Sequence, residues 1–173
     1  MHARMLLYVG RAPEAEQEMR QALAENPNQF KAMAYLGEFL YYQGKLDEAE
    51  VVLTRAEELG RDNADNSTRL MAGFLYASKE ERDKIDPKIL NARPADEIDG
   101  DGAYWTGGIY ALLGEKEQAL AWLRRAVDVG NHNYPWFQRD KNYDKLRGAA
   151  EYQRIMEEVR RHWEEYRQAF GGD

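Results

Sequence analysis

Residues 30–63 read FKAMAYLGEFLYYQGKLDEAEVVLTRAEELGRDN, and the spacing of their apolar residues sets two helices and a turn. Met33, Leu36 and Leu40 stand three and four apart, and Leu46, Ala49, Leu53 and Ala56 do the same in the second half, which is the period of one helical face. Gly44 lies between the two runs, where a left-handed residue ends a helix, and Asp47 and Glu48 then bring negative charge to the next N-terminus. Gly37, Ala49 and Ala56 are small where two helix axes must approach to about 8–10 Å.

The unit recurs. Gly10, Ala15, Met19 and Ala22 return at one constant offset as Gly44, Ala49, Leu53 and Ala56, so the period is 34. They return again as Gly114, Ala119, Leu123 and Ala126, which lie two periods and two residues beyond the second copy. A degenerate copy is expected in the gap: Leu70, Phe74 and Tyr76 make its first helix, and Pro87 and Pro94 interrupt the stretch where its second should be.

Leu36-Gly37, Gly44, Ala49, Leu53, Ala56, and Ala22 followed by Pro27 resemble the tetratricopeptide (TPR) repeat in residue type and spacing. The resemblance implies an all-α, right-handed superhelix of antiparallel helix pairs closed by a C-terminal capping helix. In that register the repeats span residues 1–29 (partial), 30–63, 64–99 (degenerate) and 100–133, followed by an aromatic segment and capping helix over 134–173. The first copy lacks part of its first helix, so the chain is expected to be a piece of a longer protein, an atypical N-terminal cap being the alternative.

After Asn133 the period stops. The last helix carries Tyr152, Met156, Val159, Trp163, Tyr166 and Phe170 in steps of four and three, with charges elsewhere. A helical solenoid needs its terminal apolar face covered, so capping explains this helix; a self-contact through Trp163, Tyr166 and Phe170, giving a homodimer, is the alternative. The string Pro135-Trp136-Phe137, Asp140, Tyr143-Asp144, Leu146-Arg147, Tyr152 and Ile155 resembles the tail of TPR regions in bacterial signalling proteins whose partner domain is a serine/threonine kinase, an adenylate cyclase or a winged-helix regulator. That resemblance leaves room for such a domain upstream and transfers no activity to this chain.

Composition excludes several classes. The net charge of −7 disfavours phosphate backbones and anionic lipid, so neither nucleic acid nor a membrane is an expected partner. Without cysteine there are no disulfides, thiol catalysis or Cys-ligated metal, and a cytoplasmic location fits. The Met5–Val9 apolar run falls far short of a secretory or membrane-spanning segment. Phosphate-loop, HExxH, GxSxG and kinase motifs are missing, so no catalytic residue, metal or cofactor is expected. His2, His132 and His162 have no metal-ligand spacing. An EF-hand loop registered on Asp99, Asp101 and Gly102 would place its glutamate at Gly108, so Asp99 or Asp101 is read instead as the cap of a helix beginning near Ala103, with Gly107-Gly108 as close packing.

What the family resemblance implies instead is a groove lined by the first helices, binding a protein or peptide. On this register it falls on Lys31, Tyr35, Glu38, Tyr42, Arg69, Tyr76 and Tyr104. Tyrosine joins a large contact area to a polar tip, which suits adaptable recognition. The positions of the chaperone-tail clamp hold Arg4, Tyr35, Asp65 and Arg69, and only Arg69 fits that pattern, so chaperone C-terminal tails are not expected to bind.

Overall fold

The structure, a computed structural model, describes residues 2–61 and 66–171. Two units are compact in themselves, Met1–Asn91 and Ala92–Asp173. The division falls inside the stretch read as the third repeat. Among the described residues there are helices and no strands.

The first unit holds α1 (His2–Tyr8), α2 (Ala12–Glu25), α3 (Phe30–Tyr42), α4 (Leu46–Gly60), α5 (Asn66–Ser78), a 3-10 turn (Arg82–Lys84) and α6 (Pro87–Leu90). The pair α3/α4 is the hairpin read from residues 30–63. Leu36, Phe39, Leu40, Ala49, Leu53 and Ala56 are all buried, and α5 closes the core with Leu70, Met71, Phe74 and Leu75. Gly37 sets the distance of approach: a Cβ there would lie 2.6 Å from Leu53 Cδ2 and closer still to Cγ.

Each first helix ends the same way. Gly44 has φ 77°, its N–H donates to Tyr41 O, and the N–H of Lys45 donates to Leu40 O. Gly114 repeats this at φ 79°, with Glu115 donating to Tyr110 O. This paired closure absorbs carbonyls that a helix end leaves free, and it needs a left-handed residue. In the degenerate copy that residue is Glu80, at φ 60°, with Glu81 donating to Tyr76 O. Glu80 lies one period and two residues after Gly44 but only one period before Gly114, so the two extra residues precede α5 rather than follow it. The expected second helix of this copy is replaced by short pieces: Pro87 opens α6 behind the Asp86 cap, and Pro94 opens a 3-10 turn (Pro94–Asp96) in the second unit.

A carboxylate tie also recurs. Glu16 of α2 accepts from Gln43 (2.8 Å) and Lys45 (2.7 Å) in the α3–α4 turn, and Glu50 of α4, one period on, accepts from Lys79 (2.6 Å) in the turn after α5. Both tie a second helix to the turn of the following repeat.

The second unit is built on α7 (Gly100–Leu112) and α8 (Lys116–Asp128). Asp99 caps α7 by accepting from Asp101 N and Gly102 N, so the helix starts at Gly100, while Asp101 accepts from Asn131. Gly107 receives the side chains that a methyl group would displace: its Cβ would stand 3.2 Å from Trp122 Cβ and 2.5 Å from Tyr143 OH. The segment after Asn133 is ordered as α9 (Tyr134–Phe137), a 3-10 stretch (Lys141–Leu146) and α10 (Ala150–Phe170). Phe137 stacks on Tyr104 at 4.1 Å, Tyr143 OH donates to Tyr104 O, and Tyr152, Ile155 and Val159 of α10 are buried against α8 and α9.

Candidate interaction face

On α3, Lys31, Tyr35, Glu38 and Tyr42 fall four, three and four residues apart and share one stripe. Lys31 is exposed and Tyr35 and Tyr42 are half-buried. Glu38 lies only 1% exposed, 3.5 Å from Arg4, whose guanidinium sits 4.7 Å over the Tyr35 ring. Arg4 is thus held between a carboxylate and an aromatic face, an arrangement suited to the flat, weakly hydrated guanidinium. Arg4 and Tyr8 stand one period before Glu38 and Tyr42, so α1 continues the stripe. Sequence reasoning weighed Arg4 only for the chaperone clamp and passed over Tyr8, although the period itself points to both. Asp65 of that clamp lies outside the described residues.

Three expected groove residues lie elsewhere. With the two-residue shift ahead of α5, the positions matching Lys31, Tyr35, Glu38 and Tyr42 are Ser67, Met71, Phe74 and Ser78, not Arg69 and Tyr76. Arg69 pairs with Asp86 at 2.9 Å, lining a depression with Thr54, Glu57, Glu58, Arg61 and Lys88. Tyr76 is 8% exposed, donates to Glu57 at 3.1 Å and lies under Lys84. Burial, with Glu57 beside it, pushes the Tyr76 phenol up to about 12, so it stays a neutral donor. Burial likewise raises the Glu57 carboxyl, against the Tyr76 hydrogen bond. Tyr104 corresponds to Ala34 and not to Tyr35; it is 2% exposed and donates to Asp140 at 2.9 Å. Tyr76 and Tyr104 thus bury their rings and satisfy their hydroxyls internally, while Arg69 stays half-buried at the depression.

Aromatic packing backs the α3 stripe from α5: Phe74 stacks on Tyr41 at 6.0 Å and meets Tyr42 edge-on at 6.5 Å. Tyr42 is therefore held in place while part of its surface faces water. Among the described residues no group of three or more His, Asp or Glu side chains is arranged to hold a metal, and no helix is long and apolar enough to cross a membrane.

At the C-terminal end, Trp163 is half-buried, Tyr166 is 49% exposed and Phe170 is 83% exposed. The first half of α10 covers the second unit, and its apolar line continues through the half-exposed Tyr166 to Phe170 in solvent.

Antiparallel helix pairs joined by left-handed turns, with small residues at the crossing, define a helical-hairpin repeat protein with a TPR-like fold. Residues 6–73 match the family model described as tetratricopeptide repeat. A solved structure described as "MamA RS-1 ArsTM double mutant" is similar with a TM-score of 0.51 over 94% of this chain and 93% of that chain, at 17% sequence identity. At that identity the likeness concerns the fold. No curated protein matches the chain in sequence.

Proposed function

We propose that the chain is a protein-protein interaction module that binds a peptide or partner domain on the first-helix face carrying Lys31, Tyr35 and Tyr42, with Arg4 and Tyr8 alongside. The observation that carries this reading is the half-exposed tyrosine pair on one stripe of α3, one ring braced by Arg4 and the other by Phe74. Fixed aromatic rings give contact area with little ordering cost at binding. The role is scaffolding or regulatory, in the cytoplasm, within a bacterial signalling protein; the Pro135-to-Ile155 tail is the feature that favours that context.

The test is capture of partners from a lysate by the chain and by a Lys31→Glu/Tyr35→Ser/Tyr42→Ser variant whose helical circular dichroism is unchanged. A partner held by the first and lost by the second supports the face. Equal retention by both removes it.

A second reading, a spacer or homodimerisation element, draws on the exposure of Tyr166 and Phe170. Light scattering would then report a dimer that Tyr166→Glu with Phe170→Glu converts to a monomer.

A further inference from the structure

His2, His132 and His162 have no metal-ligand spacing in the sequence, yet two of them meet. His132, in the connection after α8, stacks on His162 of α10 with ring centroids 4.3 Å apart and planes 17° from parallel, and Tyr166, one turn further along α10, lies 5.8 Å from His132. His132 Nε2 stands 3.1 Å from the Val127 carbonyl, which can only accept, so the proton of the neutral ring is on Nε2. His132 Nδ1 is then a bare acceptor, buried without a hydrogen-bond partner among the described residues.

We propose that the His132–His162 stack is an acid-labile latch: with the His132 ring neutral it holds the end of α10, from His162 to Phe170, on the turn after α8, and on protonation of that ring it releases that end. The N-terminal half of α10 stays anchored by Tyr152, Ile155 and Val159, which carry no charge and are buried.

A proton arriving at His132 Nδ1 creates a buried donor with no acceptor. The groups around the pair offset this only in part. Glu158 of α10 acts on His132 as a carboxylate that favours its protonation, but Arg124 of α8 already binds it at 2.6 Å. Glu165 of α10 stands 3.5 Å from His162 Nδ1 and is largely exposed, as is Asp128 of α8. Of the other cations along that stretch of α10, Arg160 is bound to Glu157 and Glu164 while Arg161 and Arg167 are exposed, and α9 has no charged residue. Burial, and then His162, hold the His132 imidazole below its ordinary range, against the Val127 and Glu158 contributions. The sign follows: a depressed pKa favours the neutral folded form, so the latch is fully closed above the ordinary histidine pKa and opens as pH falls through the depressed one.

Hydrogen exchange of the full chain, read by mass spectrometry at about pH 7.5 and about pH 5.5 and corrected for intrinsic rates, tests the latch. Protection of the amides from His162 to Phe170 is expected to fall about tenfold in acid in the unmodified chain. It should stay level in His132→Phe, which keeps a flat ring on His162 and Tyr166 and cannot be protonated. If that variant has already lost protection at neutral pH, His132→Gln, which can still donate to the Val127 carbonyl and does not titrate, is read in its place. Unchanged protection in the unmodified chain, or the same acid loss in both variants, overturns the proposal.

Discussion

At Gly37 a methyl group meets Leu53, a fully buried side chain of the partner helix. Gly37→Ala is expected to lower the free energy of unfolding by about 1–3 kcal/mol, read in urea, even though alanine favours the helix by about 1 kcal/mol. A variant as stable as the parent would mean that α3 and α4 can separate at no cost. Glu80 gives the opposite expectation. It carries a side chain at φ 60° where the equivalent turns use glycine. Glu80→Gly should stabilise the first unit by about 1 kcal/mol, the left-handed strain relieved less the entropy glycine adds to the unfolded chain. Loss of stability on that change would show that the Glu80 side chain has a stabilising contact. The glycine positions were legible because a missing Cβ has one meaning at a turn and another at a crossing. Glu80 was not, since nothing in a glutamate signals a left-handed backbone.

Among the elements, α2 is tied to the next hairpin by Glu16. Burial pushes the Glu16 carboxyl up, but hydrogen bonds from Lys45, Gln43 and Arg20 outweigh it and hold it at about 2. Its contribution is therefore complete above the ordinary carboxylate pKa and is lost as pH falls from about 4.5 towards 2. Glu16→Gln should cost about 2 kcal/mol at neutral pH, the full shift being discounted because Lys45 is water-exposed, and should flatten stability over that acid window. An unaltered pH profile would place the acid sensitivity in other carboxylates. The aromatic segment after Asn133 is ordered: Asp140 accepts from Tyr104 and Asn142, and Arg147 donates to the Asp140 carbonyl. Its residues were visible in sequence; their partners on α7, far back along the chain, were not.

Across the molecule, stability rests on small cores, one in each unit. Leu53 and Leu123 hold equivalent places in the hairpins of the two units and both are fully buried. Leu53→Ala and Leu123→Ala should each cost about 2–5 kcal/mol in urea denaturation. With both made, losses that sum within about 0.5 kcal/mol are expected, since each leucine packs within its own unit. A loss below about 0.5 kcal/mol at either leucine would contradict the repeat register, because that is the range of surface substitutions.

By itself the sequence determined the hairpin, its period and its crossing points, because these follow from local rules: helical spacing, a turn glycine, and small residues where axes meet. The spacing of the copies at Gly44 and Gly114 also leaves two residues over two periods. Where those two residues go was decided in three dimensions, by the left-handed turn at Glu80, and that moved Arg69 and Tyr76 off the stripe. The same holds for Tyr104 and for the two histidines. A tyrosine reads alike whether it faces water or a buried aspartate, and residues distant in the chain show no relation until helices bring them together. Side-chain identity is local, whereas exposure and partnership are products of packing.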